Sequence, residues 1–149
     1  MVSSNTMVTT TTAFVGGTTQ VSTPVTMPGY LTDIEITTHP GFDRVVFTFS
    51  NLMPGYRIGP VNGPFTADGS GNPVAVQGPD YVEAFFTGAG YDSGGTGQQT
   101  YNGPNNVPAG PASVVVTEVV RLGDFEGHLS WLIGTNVPAQ FLVTTLTSP

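Results

Sequence analysis

The sequence predicts an all-β protein that folds as a single β-sandwich domain of about eight short strands, preceded by an extended N-terminal arm. The 149 residues include 20 glycines, 13 prolines and 22 threonines, a composition that favours strands and turns over helices. Short apolar runs with a period of two recur at the spacing typical of a sandwich. No segment shows a helical period of useful length.

Eight segments from residue 30 onward alternate apolar and polar residues as half-buried strands do. In the second of them Val45, Phe47 and Phe49 share one face, and in the seventh Trp131 faces inward while Ser130 faces outward. Clusters of glycine, proline and asparagine separate the segments as turns. The predicted strands are Leu31–Thr37, Arg44–Ser50, Tyr56–Val61, Val74–Gln77, Tyr81–Thr87, Ser113–Val120, Gly127–Ile133 and Phe141–Leu146.

Residues 1–29 differ from the domain predicted over residues 30–149, because they are rich in threonine, serine and glycine and carry no charge. Two interpretations fit this arm: a disordered tail, or an extended strand laid on a sheet of the same or a neighbouring subunit. Its first residues have neither the positive segment nor the apolar segment of a secretory signal, so we expect no export by that route. No apolar run is long enough to predict a membrane span.

Charge and cysteine content exclude several classes of function. The net charge is −7, and all three cationic side chains are arginines, without a single lysine. Three dispersed arginines cannot form the basic stripe that nucleic acids or anionic membranes require, so we expect neither partner. The chain has no cysteine, which excludes disulfides, thiolate nucleophiles and thiolate metal ligands.

Residues 88–110 form a long segment of glycine, asparagine, glutamine and proline, with Tyr91 and Tyr101 as its only large side chains. A loop of this length in a compact domain is often functional, so the two tyrosines are candidates for a partner surface. The alternative is an elaborated hairpin connection without a binding role.

Two short motifs resemble catalytic or metal-binding signatures without their full residue sets. Asp92-Ser93-Gly94-Gly95 resembles the nucleophile region of chymotrypsin-like proteases, but a glycine-rich turn explains the same residues. Asp68-Gly69-Ser70-Gly71-Asn72 has the alternating oxygens of a calcium loop, yet prolines replace the required glycine and the final glutamate. We predict turns at both places.

Other acidic and imidazole side chains also fall short of a reactive site. Asp124 and Glu126 are two residues apart on one strand face and have no opposing acid for glycoside hydrolysis. His39 and His128 are isolated, and two separate histidines make no metal site. The sequence therefore predicts no catalytic residue, no cofactor and no metal.

The arginines and their neighbouring acids are predicted to fasten strand ends to turns, because the guanidinium fork suits carboxylates. The candidate structural ion-pair residues are Asp43, Arg44, Arg57, Glu118, Arg121, Asp124 and Glu126.

Several segments, in one order, resemble the AMIN-like domain found in exported proteins of actinobacteria. They are Gly41–Phe47, Pro54–Arg57, Ala67–Gly71, Tyr101–Pro104, Glu118–Val120, Gly123–Gly127 and Trp131. The resemblance covers most of residues 32–147 and implies a compact β-sandwich without catalytic residues, related to the domain that targets cell-wall amidases to peptidoglycan. Members of that family usually continue beyond the Thr144–Leu146 region into one more apolar strand. We therefore expect an open sheet edge, which the N-terminal arm could cover by strand addition.

These observations together predict a non-enzymatic structural or adhesion module in a large assembly. The leading hypothesis is a virion protein of a phage infecting actinobacteria, such as a capsid decoration, minor capsid or tail subunit, whose partners are neighbouring subunits at the arm and the open edge. The alternative is an exported envelope protein that binds peptidoglycan or another cell-wall glycan.

Overall fold

The predicted all-β class is confirmed. The computed structural model describes residues 3–11, 21–23, 29–51, 53–91, 99–125, 127–138 and 140–147, and every regular element in these ranges is a β-strand. The strands are β1 (Ser3–Thr11), β2 (Val21–Thr23), β3 (Gly29–His39), β4 (Phe42–Asn51), β5 (Gly55–Val61), β6 (Phe65–Thr66), β7 (Pro73–Val74), β8 (Asp80–Thr87), β9 (Ala89–Gly90), β10 (Asn106–Pro108), β11 (Val116–Phe125), β12 (His128–Thr135) and β13 (Gln140–Thr147). The described part of the chain contains no helix that could cross a membrane.

Two sheets form a sandwich. The first sheet has the strand order β13-β1-β4-β3-β9, and the second has the order β10-β11-β12-β8-β5-β2. The strand pairs are antiparallel except for the short parallel contact between β3 and β9. Strands β6 and β7 form a separate two-stranded hairpin.

The core lies between the inward faces of β4 and β8, where the period-two pattern of the sequence places apolar side chains. Phe47 and Phe49 of β4 pack against Phe86 of β8, with ring centroids 5.1 and 4.8 Å apart. Tilted and edge-on arrangements of this kind are favourable for aromatic rings. Trp131 on β12 completes the core and is fully buried.

The backbone of residues 3–11 forms an inner strand of the first sheet, next to its β13 edge. Strand β1 pairs with β4 on one side and with β13 on the other, antiparallel in both cases. Strand β2, further along the same segment, pairs with β5 at an edge of the second sheet. The rest of the predicted arm, residues 1–2, 12–20 and 24–28, lies outside the described residues.

Strand β12 is buried on both faces, although the sequence predicts an outward-facing Ser130. The segment from β7 to β8 folds back over the outer face of the second sheet. Gly134 of β12 lies so close to the carbonyl oxygen of Gln77 that a side chain would not fit. Ser130 is covered as well, and its hydroxyl donates to a carboxylate oxygen of Glu83 at 2.7 Å. The strand predicted over Val74–Gln77 is observed only as Pro73–Val74. After Val74 the chain leaves the β6–β7 hairpin.

A buried carboxylate connects the two sheets. Asp43 on β4 is 0% exposed and accepts hydrogen bonds from the hydroxyl of Ser113 at 2.8 Å and from the amides of Val115 and Val116 at 2.6 and 2.8 Å. The amide of Val114 donates to it as well, at 3.0 Å. These amides turn toward the carboxylate instead of a neighbouring strand, so β11 begins at Val116 and not at Ser113 as predicted.

Two opposing effects act on the pKa of Asp43. Burial alone raises it, but the amides of Val115 and Val116, the Ser113 hydroxyl and the Val114 amide stabilise the ionised form and lower it below the usual 3.8. The lowering prevails, so the folded protein holds this carboxylate ionised more strongly than the unfolded chain does.

We expect Asp43→Asn to destabilise the fold by about 2–4 kcal/mol, since an amide group cannot accept four hydrogen bonds and would aim its own donors at the backbone amides. Urea denaturation measures the change, with Asp33→Asn, at an exposed position, as the control. Equal stability of the two variants would contradict the role of Asp43.

The same variant tests the sign of the pKa change. A lowered pKa contributes stability above the unfolded value near 3.8, and that stability is lost as the pH falls through the folded value. The wild-type and Asp43→Asn unfolding free energies should therefore differ most at neutral pH and converge below about pH 4. A constant difference across this range would refute the assignment.

Candidate functional site

An open polar cleft, here called the Arg121 cleft, lies at the surface beside β11 of the second sheet. Three segments that are distant in the sequence surround a volume of about 270 Å³. The β6–β7 turn contributes Ala67 and Asp68, the segment before β10 contributes Asn105, and β11 contributes its residues 121–124. Both signs of charge are present among these residues.

Backbone hydrogen bonds hold the three segments together. The amide of Asp68 donates to the carbonyl of Leu122 at 3.2 Å, and the amide of Arg121 donates to the carbonyl of Asn105 at 2.8 Å. The ladder between β11 and β12 is irregular between Arg121 and Gly123, which indicates a β-bulge. Bulges often redirect a side chain beside a functional site. Here the irregularity lies at the floor of the cleft.

Gly123 allows the β6–β7 turn to approach β11. A Cβ atom at this position would lie 2.5 Å from both Cβ and Oδ2 of Asp68. No ordinary carbon contact is that short, so only glycine lets the Asp68 carboxylate lie against the strand. The Asp68 carboxylate can therefore line the cleft only because residue 123 has no side chain.

Arg121 is the cation of the cleft. Its guanidinium lies over the ring of Tyr91, 4.5 Å from the ring centroid, and Nη2 is 4.0 Å from Oδ2 of Asp124. That separation is longer than a hydrogen bond, so Arg121 and Asp124 interact through the attraction of their charges. The Arg121 side chain is 27% exposed, and a partly solvated pair of this kind contributes little to stability. The guanidinium therefore remains partly accessible to solvent.

Burial raises the pKa of Asp124, and the positive charge of Arg121 opposes the increase. The carboxylate consequently binds its proton somewhat more readily than a fully solvated aspartate does. Asp68, which is exposed, adds a second carboxylate to the rim.

An aromatic layer supports the cleft from below. The indole N–H of Trp131 donates to the hydroxyl of Tyr91 at 3.0 Å, and Tyr101 meets Trp131 edge-on with ring centroids 5.5 Å apart. The hydroxyl of Tyr101 donates to the carbonyl of Pro104 at 2.7 Å. Burial raises the pKa of Tyr91 to about 12, although Arg121 and the Trp131 hydrogen bond act against it. The phenol therefore stays neutral at physiological pH.

Tyr91 and Tyr101 do not form the exposed partner surface that the glycine-rich segment suggests. Their exposed fractions are 3% and 5%, because both rings turn into the core instead of standing on the loop. The segment predicted as one loop over residues 88–110 also contains β9 and β10, while residues 92–98, which include Ser93, lie outside the described residues. The tyrosines support the cleft and are not its rim.

The predicted ion-pair residues divide among several different contacts. Asp43 binds backbone amides rather than an arginine, and Glu118 accepts the amide N–H of Gln77 at 2.7 Å. Arg57 pairs with Glu83 at 3.8 Å, on the neighbouring strand, and not with the Asp68 turn. Glu126 lies outside the described residues.

Contacts between arginine and aromatic rings are the feature that sequence analysis missed. The guanidinium of Arg44 lies 5.5 Å from the Phe42 centroid, and that of Arg57 lies 4.4 Å from the Phe85 centroid. Together with Arg121, all three cations of the chain therefore lie over aromatic rings. The only available signal was positional, since Phe42 and Arg44 are two apart on one strand and thus share a face.

Other places in the described structure offer less to a ligand. A hollow of about 310 Å³ beside β7 includes Glu118, but this carboxylate already binds the backbone of Gln77. His39 bonds to the Thr37 hydroxyl at 3.0 Å and stacks on Phe42, while His128 stacks on Phe85. Among the described residues no three metal-binding side chains lie together.

The Arg121 cleft coincides with the segments that carry the family resemblance. Ala67–Gly71 forms one wall, Tyr101–Pro104 leads into Asn105, and β11 contains the beginning of Gly123–Gly127. A model of the AMIN-like domain family matches residues 29–149. No curated protein and no solved structure matches the chain. The family match indicates a module associated with the cell envelope.

We expect Gly123→Ala to destabilise the protein by about 1–3 kcal/mol, because the added methyl group forces the Asp68 turn away from β11. Thermal or urea denaturation measures this change. Gly110→Ala is the matched control, since a Cβ at residue 110 meets nothing within 4 Å. If both variants are equally stable, the close approach of the Asp68 turn to β11 does not contribute to stability.

Proposed function

The chain belongs to the AMIN-like domain family, a family of binding modules, and from this membership we propose that it is a non-enzymatic envelope module that binds a cell-wall glycan such as peptidoglycan. The observation that carries the proposal is the Arg121 cleft, where the family segments meet around side chains that bind polar ligands. An actinobacterial cell wall is the proposed setting, as the resemblance implies.

The chemistry of the cleft suits a hydroxyl-rich ligand with some charge. The guanidinium of Arg121 offers several N–H donors, and the carboxylates of Asp68 and Asp124 accept hydrogen bonds from hydroxyl or amino groups. The side-chain amide of Asn105 can both donate and accept hydrogen bonds. Peptidoglycan has hydroxyl, acetamido, carboxylate and amino groups, so each lining side chain has a partner.

Recognition through these polar groups differs from the stacking of sugars on aromatic rings. Tyr91, Tyr101 and Trp131 are all buried, so none of them offers a free ring face. Hydrogen bonding and charge should dominate, and binding should therefore weaken at high salt.

We expect Arg121→Gln to weaken binding to isolated peptidoglycan by about tenfold or more, because it removes the cation of the cleft, and tenfold corresponds to the loss of one good interaction. Co-sedimentation with purified cell-wall sacculi measures the affinity. Circular dichroism confirms that the variant is folded.

Arg57→Gln is the matched control, because Arg57 also pairs with a carboxylate and also lies over an aromatic ring. It should bind sacculi within about twofold of wild type, since it lies outside the cleft. A wild-type protein that does not sediment with sacculi would overturn the proposal. If the Arg121→Gln variant binds sacculi as tightly as wild type does, the binding site lies outside the cleft.

A second candidate is a structural subunit of a virion, in a phage infecting actinobacteria. The observation that favours it is the long uncharged edge of β13, which suits assembly with other subunits.

Mass spectrometry of purified virions should then detect the chain at a fixed ratio to the major capsid protein, and labelled antibody should decorate the particles. Particles without the chain would refute this candidate.

A further inference from the structure

Strand β13 is the longest of the four strands that end the two described sheets. The first sheet ends in β13 and β9, and the second ends in β10 and β2. Strand β9 has 2 residues, β10 and β2 have 3 each, and β13 has 8. Short edges expose few unpaired backbone groups and resist further pairing. Within the described residues no strand pairs with the outer side of β13.

The composition of β13 leaves this edge open to another strand. Proteins usually protect long edges with lysine, proline or inward-facing charge, and the sequence Gln140–Thr147 has none of these. The adjacent strand β1 is uncharged as well. Since the whole chain has a net charge of −7, a second copy is repelled from most of the surface but not from this edge.

We propose that β13 pairs antiparallel with β13 of a second copy around a two-fold axis. The two five-stranded sheets then join into one continuous sheet. An isologous contact of this kind is self-complementary and closed, so it satisfies both edges at once and does not propagate into a fibre. A second copy is the occupant we commit to because two uncharged β13 edges can meet without the like-charge repulsion that a net charge of −7 imposes elsewhere on the two copies.

Side-chain directions restrict the register of this pairing. Phe141 is buried and Val143 packs against the core, whereas Leu142 lies on the outer face and is 42% exposed. A two-fold axis normal to the sheet leaves each face on its own side, and directly opposed residues share a face. The residue at the axis therefore opposes its own copy, and the greatest overlap of two eight-residue strands places either Val143 or Thr144 at the centre. Either register brings Leu142 against the neighbouring copy and covers part of its exposed surface.

The size of the contact sets the expected affinity. One strand edge buries less area than a standard interface, so we expect a dissociation constant of about 10–100 μM. Sedimentation velocity over a concentration series should show a reversible monomer–dimer equilibrium in this range. A wild-type protein that stays monomeric up to about 1 mM would overturn the proposal.

Leu142→Lys tests the edge directly, because it places two like charges across the axis and adds the residue that protects natural edges. We expect the dissociation constant to rise at least about tenfold. Val114→Lys is the matched control, since Val114 is 43% exposed, close to the 42% of Leu142, and lies outside β13. It should dimerise like wild type. Equal dimerisation of both variants would refute the role of β13.

Single cysteines test the orientation of the strands, and the cysteine-free sequence makes each one unique. Cysteine is introduced separately at Gln140, Leu142, Val143 and Thr144, and the proteins are oxidised near the dissociation constant. Antiparallel pairing predicts a disulfide between copies at residue 143 or 144 only, because the Cα atoms at the other positions lie too far apart. Cross-linking at all four positions would indicate parallel pairing, and no cross-link at residues 143 and 144 would indicate a different occupant. Either result overturns the proposal.

Discussion

The arrangement of this molecule depends on the Asp43 carboxylate, which carries a negative charge into the core-facing row of β4. Four groups of the segment Ser113–Val116 compensate that charge, and three of them are backbone amides. A buried charge is tolerated only when such donors converge on it, so the segment has little freedom to shift. This contact holds the segment that leads into β11, and the same strand carries Arg121 and Gly123 of the cleft. Strand β11 therefore connects a buried ionic contact inside the sandwich with the polar cleft at its surface.

The three arginines show how a lysine-free chain can use its cations. Each guanidinium lies over an aromatic ring, on Phe42, Phe85 or Tyr91. A planar, weakly hydrated cation stacks well on such rings, whereas an ammonium group retains its water more firmly. Arg57 and Arg121 each have a carboxylate within 4.0 Å as well. The cations thus contribute to packing and to the cleft, while the surface charge comes mainly from carboxylates.

The sequence predicts those parts of the fold in which local pattern and tertiary environment agree. The alternation of Val45, Phe47 and Phe49 predicts β4 because each of these side chains enters the core. Strand β1 has no such alternation, so its place between β4 and β13 depends on partners that are distant in the sequence. The same limit applies to the cleft, since the contact between Gly123 and Asp68 joins segments whose proximity no local pattern reveals. The glycine-rich surroundings of Tyr91 predict an exposed ring, whereas the ring is buried and its hydroxyl accepts a hydrogen bond from Trp131.

The position of β1 between β4 and β13 has a consequence for the order of folding. Its two neighbours are β4, which follows early in the chain, and β13, which is separated from it by most of the sequence. During synthesis β1 can pair with β4 long before β13 leaves the ribosome, so the first sheet remains incomplete until translation is nearly finished. Contacts between such distant segments also slow folding, because a large loop must close before they form. The growing chain therefore exposes an unpaired β1 edge for most of its synthesis. This edge is a binding site for chaperones that recognise extended segments.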